Sequence, residues 1–345
     1  MTVDPIATLL AAQPVVILDG GLGSELGFRG HDLRDHLWSA RLLVDDPGAI
    51  KQLHIDYLEA GADVVTTASY QVSYEGFQSR GLARSAVDHL LRRSVSLARD
   101  ACDAIWEECE SPASGKAGNE RISSLRSATV DSSASGGRVR PLVAASVGPY
   151  GAAKGDGSEY VGRYGLSSKN LADWHRQRME TLAQAGADLL ACETIPCIEE
   201  AEALLGLLAE EPRLKAWMSF SCRDGEHISQ GELFEEAVAL CADSPQVIAV
   251  GLNCVKPRFV SSLLRAARGV AKGKPLIAYP NSAETWDPGV RAFVPGDVND
   301  SDISQYAPMW RDEGALLLGG CCRIRPADIR RLRQTMLGDG PMRGD

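Results

Sequence analysis

Eight short apolar runs, each followed by an amphipathic helical stretch, predict a single-domain (β/α)8 barrel. Two features of the pattern favour that fold. The runs are apolar nearly throughout rather than alternating, as parallel strands buried on both faces read. Their number is that of a closed barrel, and 345 residues lie within the range that such barrels reach as one domain. A doubly wound open sheet also alternates strand and helix. Yet the glycine-rich turn after the first run, Gly20-Gly21-Leu22-Gly23, lacks the Gly-x-Gly-x-x-Gly spacing of a dinucleotide-binding turn.

The strands are expected at 15–18, 63–66, 142–146, 189–193, 216–220, 247–252, 276–279 and 315–318. The helix expected at 49–60 stops at Gly61, a suitable C-cap. The helix at 83–106 carries Arg92, Arg93 and Arg99 on a solvated face, and the helix at 171–185 ends at Gly186. The helix at 198–209 opens with Glu199 and Glu200, where its dipole favours anions. Helices at 232–242, 258–270, 303–313 and 326–336 complete the set, with Pro326 in an early helical position. One segment breaks the alternation. Residues 107–140, between the second helix and third strand, are rich in Ser, Gly and Ala and poor in large apolar side chains. Such a stretch buries too little surface to offset its ordering entropy, so it reads as a disordered surface insertion. Residues 338–345 read as a frayed tail, and no internal repeat is evident.

Composition narrows the partners. A formal net charge of -10 disfavours nucleic acid and anionic membrane surfaces, which need clustered Lys and Arg. There is no run of eighteen apolar residues, so no transmembrane helix is expected. The first residues lack a basic segment and read as neither signal nor transit peptide, which makes the cytoplasm the expected location. A monomer or weak homo-oligomer acting on small molecules follows. Nine cysteines in a reducing compartment point to metal ligands or nucleophiles rather than disulfides. Cys192, Cys197 and Cys241 lie in or beside apolar stretches and read as core.

In a (β/α)8 barrel the chemistry sits where strands end. Cys254 follows the sixth run, and Cys321-Cys322 follows the eighth. These two strands are alternate, so their loops can converge over the barrel axis. Three thiolates and one open position form a catalytic zinc arrangement. Gly319 and Gly320 supply the backbone freedom a sharp turn into the pair would need. Two buried thiols or a vicinal disulfide are the competing readings of Cys321-Cys322. A thiol bound to zinc is deprotonated outright, so such a site makes a sulfur nucleophile. Hydrolytic zinc sites more often use His and carboxylate, and none of the six His lies at a strand end. Acidic residues at the same mouth suit an amino-acid substrate. Glu193, after the fourth run, could take an ammonium group, with Asp19 assisting. Gly20 and Gly21 could offer N–H groups to a carboxylate.

These residues resemble the homocysteine S-methyltransferase family. The matching stretches are ILDGGLGSELGFRG, GADVVTTASYQ, SVGPYGA with GSEY, ETIP, GLNC, YPNSAETWD and GGCCR, which span the chain apart from the insertion and the termini. The resemblance implies one zinc ion on Cys254, Cys321 and Cys322. It implies homocysteine bound to it through sulfur, with Glu193 on the amino group and Asp19, Gly20 and Gly21 nearby. GPYGA followed by GSEY, and YPNSAETWD, look most like the S-methylmethionine-dependent group, plant-like in its longer insertion. Ser-Ala-Glu stands in the last motif where Ser-Gly-Glu is more usual. The implied reaction is direct displacement, in which the homocysteine thiolate attacks a sulfonium methyl of S-methylmethionine or S-adenosylmethionine. Thr67 and Tyr70 are further candidates for substrate contact. Tyr70, Tyr150 and Trp286 could face the sulfonium, and Asn253 and Asn281 could orient substrate or cap turns. A zinc hydrolase and a non-catalytic zinc or redox sensor using Cys321 and Cys322 are the alternative functions.

Overall fold

Strand residues of this chain alternate between two hydrophobic clusters, and that alternation builds the barrel. In the computed structural model, which describes residues 4–33, 37–110, 139–282, 285–287, 292–294 and 302–338, the eight expected strands form one sheet. They are β1 (Val16–Ile17), β2 (Val64–Thr66), β3 (Leu142–Val147), β4 (Leu189–Ile195), β5 (Ala216–Phe220), β6 (Val247–Asn253), β7 (Leu276–Tyr279) and β10 (Ala315–Leu318). A separate antiparallel hairpin, β8 (Thr285–Asp287) with β9 (Ala292–Val294), follows β7. The sheet runs β1-β10-β7-β6-β5-β4-β3-β2 with every pair parallel. A parallel bridge between Leu18 and Val64 joins its two edges, which closes a (β/α)8 barrel. Leu189, Ala191, Trp217 and Leu317 pack in the inner cluster, whereas Leu190, Cys192, Met218 and Leu318 pack against the helices. Strands covered on both sides in this way are apolar at every position, which is why they were visible as unbroken runs.

The helix Pro5–Ala12, to which the sequence reading gave no element, places Ile6 and Leu9 in the inner cluster. Asp4 caps it by accepting from the N–H groups of Ile6 and Ala7 at 2.9 and 3.0 Å, and Pro5 opens it. It seals the end of the barrel where the strands begin. Helix limits differ from expectation where caps decide them. Pro47–Glu59 starts at the Asp46 cap and Ser168–Gln184 at the Ser167 cap, both ahead of the apolar periodicity. The expected helix at 303–313 is instead a 3-10 turn, Ile303–Gln305, followed by Ala307–Asp312. Pro308 has no N–H to continue the ladder, so the helix restarts around it. The second long helix, Arg84–Glu110, runs beyond residue 106 because glutamates at 107, 108 and 110 favour helix up to Pro112. The rest of the expected insertion, 111–138, and of the expected tail, 339–345, lie outside the described residues. Cys192, Cys197 and Cys241 are buried core side chains. Among the described residues no helix is long and apolar enough to cross a membrane.

The barrel's seam depends on one side chain. Asp63, buried at the start of β2, accepts from the Ile17 N–H at 2.8 Å, from Gln13 Nε2 at 2.5 Å and from Arg333 Nη1 at 3.1 Å. Asp188 repeats the device at β4, accepting from the Val143 N–H and from Arg99 Nη2, both at 2.7 Å. Each aspartate follows the same three residues, Ala-Gly-Ala, and satisfies an N–H of the preceding strand. Replacing Asp63 by Ala orphans a buried N–H and leaves a half-buried guanidinium without its carboxylate, at a cost of about 3 kcal/mol. Asp188→Ala, whose own carboxylate is more exposed than that of Asp63 while the arginine partners are equally so, costs about half as much. Denaturant unfolding of both variants checks this; equal effects would contradict the assignment of Asp63 to the seam.

Candidate active site

The ends of the strands surround a cavity of about 140 Å3. Its described lining contains three thiols, Cys254, Cys321 and Cys322, and three carboxyl groups, Asp19, Glu159 and Glu193. It contains no Lys, Arg or His among the described residues.

Each thiol is held by its backbone. Cys254 follows β6 in the left-handed region at φ 51°, a conformation that costs a non-glycine residue about 1–2 kcal/mol and persists only when its surroundings fix it. The next residue, Val255, accepts the N–H of Asn281 at 3.0 Å. The Cys321 N–H donates to Pro280 O at 2.8 Å and the Cys322 N–H to Asn281 Oδ1 at 3.0 Å. The loop after β7 therefore clamps both ligand loops. Gly319 and Gly320 do not take positive φ. Their role is close packing: a Cβ on Gly319 would lie 2.5 Å from Leu18 Cβ, and one on Gly320 2.2 Å from the Ile324 side chain. The expectation that they supply backbone freedom for a sharp turn is not needed to explain them, because β10 packs closely against the first loop and the Ile324 side chain there.

The three sulfurs lie within 4.8 Å of one another, with Cys254 and Cys321 at 2.7 Å. A tetrahedral thiolate set at a zinc ion spaces its sulfurs by about 3.8 Å, between these two values, so this group could hold a metal. Asn253 Nδ2 and Tyr160 Oη approach the sulfurs of Cys321 and Cys254 at 3.8 and 3.9 Å. Mutual thiol contact and burial hold all three groups well above the ordinary thiol range. A bound cation removes that penalty by favouring the thiolates.

Glu193 points inward from β4. Its carboxylate accepts from Ser146 Oγ, and from Tyr279 Oη at 3.1 Å. Tyr279 Oη in turn accepts from Trp217 Nε1 at 3.0 Å and contacts Ser219 Oγ at 2.6 Å. Asn253 Oδ1 accepts from Ser219 Oγ at 2.9 Å and from the Thr194 N–H at 2.7 Å. These hydrogen bonds form one polar floor across β3 to β7. Burial lifts Glu193 to about 7, against the hydrogen bonds that favour its anion. Burial lifts Asp19 to about 8, although it accepts from the Thr66 N–H at 2.7 Å and Oγ1 at 3.1 Å. Among the described residues no basic side chain lines the cavity beside either carboxylate.

The structure brings Asp19, Gly20, Gly21, Thr67, Tyr70, Glu193 and the three cysteines to this cavity. The Gly21 N–H is already bound to Ile324 O at 3.0 Å, which corrects its expected use for a substrate carboxylate. Asn253 and Asn281 lie behind the wall and orient Thr194, Ser219 and Cys322. Tyr150 does not line the cavity: its ring packs edge-on to Tyr164 and Trp174, each at 5.2 Å, and its N–H donates to Glu200 Oε1. The side chain of Trp286 lies outside the described residues. Sequence reasoning assigned no role to Ser146, Tyr160, Thr194, Trp217 or Tyr279. Glu159 and Tyr160 stood in the GSEY stretch, but no spacing rule connects a 3-10 turn to a cavity. Arg178 was also missed. Fully buried, it donates to the carbonyls of Ser69, Tyr70 and Gly148 at 2.9, 2.5 and 2.7 Å, which fixes the Tyr70 loop.

Comparison with known proteins agrees with this geometry. The family model described as homocysteine S-methyltransferase matches residues 16–336. A homocysteine S-methyltransferase of Escherichia coli strain K12 is 42% identical over 330 residues, 96% of this chain and 98% of the relative. A selenocysteine methyltransferase of Astragalus bisulcatus is 41% identical, with 94% and 93% covered. Among solved structures, the metallated form of the homocysteine methyltransferase MmuM from Escherichia coli superposes with a TM-score of 0.79 at 41% identity, covering 96% and 99% of the two chains. Neither a hydrolase nor a bare sensor accounts for these matches. The chain belongs to the homocysteine S-methyltransferase family and is an enzyme that moves a methyl group to homocysteine.

Proposed function

We propose that this enzyme takes its methyl group from S-methylmethionine and holds homocysteine on a zinc ion bound by Cys254, Cys321 and Cys322. The observation that carries a sulfonium donor, whether S-methylmethionine or S-adenosylmethionine, is the charge inventory of the cavity: three carboxyl groups, three thiols and no described basic residue. An anionic methyl donor would meet unopposed repulsion there, whereas a sulfonium brings the missing positive charge. The sulfur-only ligand set favours zinc among common divalent ions. A selenol acceptor satisfies the same soft-ligand logic, consistent with the selenocysteine methyltransferase among the relatives.

Zinc, when bound, would supply the Lewis acidity that turns the homocysteine thiol into a thiolate at neutral pH. The remaining work belongs to the protein. Glu193 receives the homocysteine ammonium group, and Ser146 and Tyr279 fix the direction of its two oxygens. Asp19 ties the first loop to β2 and adds negative charge to the same wall. The donor lies with its methyl carbon in line with the acceptor sulfur. The acceptor's sulfur lone pair forms the new S–C bond, the old S–C bond breaks, and its electron pair stays on the donor sulfur. Two molecules of methionine result, and no proton leaves carbon. Positioning of two sulfurs is then the main catalytic contribution of the chain.

Cys254→Ser should lose zinc and lower kcat/KM by more than about 100-fold, since one of three thiolate ligands is gone. Metal analysis beside a methyl-transfer assay checks it, and a variant with full zinc and full activity would refute the ligand set. Glu193→Gln should lower kcat/KM for homocysteine by about 10- to 100-fold through loss of a charged hydrogen bond. With its carboxyl lifted to about 7, free Glu193 gains a proton as the pH falls through neutrality. The KM of the wild type for homocysteine should therefore rise below about pH 7, and that of Glu193→Gln should not. A wild-type KM constant from pH 6 to pH 8 would contradict the role of Glu193.

A further inference from the structure

Glu159 has no part in the chemistry so far, yet the fold goes to some length to place it. It sits in the 3-10 turn Ser158–Tyr160, reached through Gly155 and Gly157, both in left-handed conformations at φ 63° and 83°. Gly151 has no room for a Cβ because the Glu159 nitrogen would lie 2.5 Å from it. Buried Ser221 donates to Glu159 O at 3.2 Å from the loop after β5. The side chain itself is 8% exposed and lines the cavity, and its Oε2 has no hydrogen-bond partner among the described residues. Burial lifts its carboxyl to about 7. Its neighbour in sequence, Tyr160, reaches Cys254 Sγ at 3.9 Å, so the turn borders the thiols directly. A buried carboxylate oxygen without a partner is costly unless a ligand completes it. Glu193 and Asp19 are already engaged with Ser146, Tyr279 and Thr66.

We propose that Glu159 is the donor-binding residue, the carboxylate that pairs with the positive charge of the sulfonium methyl donor and selects it over neutral thioethers. The inference rests on the proposed function and adds to it the group that reads the donor's charge. Its kinetic consequence is distinctive. The sulfonium loses its charge as the methyl leaves, so an ion pair with it is strongest before transfer. Such an interaction tightens donor binding without lowering the barrier from the bound state.

The test uses the zinc-loaded full chain and its Glu159→Gln and Glu159→Asp variants, with S-methylmethionine as donor at saturating homocysteine. Two unreactive donor mimics report binding separately: homoleucine, the neutral carbon isostere, and 2-amino-4-(dimethylammonio)butanoate, the cationic one. The wild type should bind the cationic mimic at least about tenfold more tightly than the neutral one. In Glu159→Gln that ratio should collapse to within about threefold, and KM for S-methylmethionine should rise about tenfold or more. Its kcat should stay level or increase, and its zinc content and KM for homocysteine should match the wild type. Glu159→Asp, which keeps the charge, should recover part of the cation preference. A Glu159→Gln enzyme that keeps the wild-type ratio and donor KM would overturn the inference. So would a rise in the homocysteine KM equal to that of the donor. If Glu159→Gln does not fold, the same ratio measured in Glu159→Asp decides, since an unchanged ratio with the carboxylate drawn back by one carbon would also overturn it. A wild type that transfers no methyl from S-methylmethionine would instead bring down the proposed function itself.

Discussion

Acidic groups and thiols gathered in a buried place, with no basic residue among the described residues to balance them, are the constraint on which this structure turns. Asp19, Glu159, Glu193, Cys254, Cys321 and Cys322 share one cavity, and burial drives all of them toward their neutral forms. A lysine or arginine would relieve that pressure permanently and would occupy the site. Leaving the charge unbalanced makes the cavity receptive to cations instead. A divalent metal, an ammonium group and a sulfonium are three such cations, and the proposed methylation of homocysteine from a sulfonium donor would bring all of them together.

The rest of the fold fixes where those groups sit. The inner cluster and the helix Pro5–Ala12 fill the barrel below the cavity, so the polar floor rests on packed side chains. The floor is connected: Asn253 joins Thr194 to Ser219, Ser219 meets Tyr279, and Tyr279 meets Glu193. Glu193 is thereby tied to the strand that leads into Cys254. Asn281 and Pro280 perform the same service for Cys321 and Cys322 from β7. The buried cation the region does contain, Arg178, points away from the cavity at three carbonyl groups, and burial lowers it to about 10. The positive charge of Arg178 is thus used for architecture.

Much of this was legible in the amino-acid sequence, for physical reasons. Strands covered on both faces must be apolar, so eight runs stood out, and the residues after them had to be the chemical ones. Cys254, Cys321, Cys322, Asp19 and Glu193 were singled out that way, and the structure brings them to one cavity. Tyr150 was misplaced because its position after β3 resembles the others, whereas the short helix it opens turns its ring toward Trp174. Gly319 and Gly320 were given a conformational role when close contacts, of Gly319 with Leu18 and of Gly320 with Ile324, demand only that they be small. Glu159 escaped because its place depends on how a turn between β3 and the helix Ser168–Gln184 folds back across the mouth. No periodicity encodes such a return. The N-terminal helix escaped because it plugs the barrel end, and its two inward residues are too few to show a pattern.

The central claim is that the acceptor sulfur completes a coordination shell begun by three cysteines. X-ray absorption at the zinc edge, on the zinc-loaded enzyme with and without homocysteine, tests it most directly. The account predicts three sulfur neighbours at about 2.3 Å in the free enzyme and four when homocysteine is added. A sulfur count that stays unchanged on addition of saturating homocysteine would contradict it.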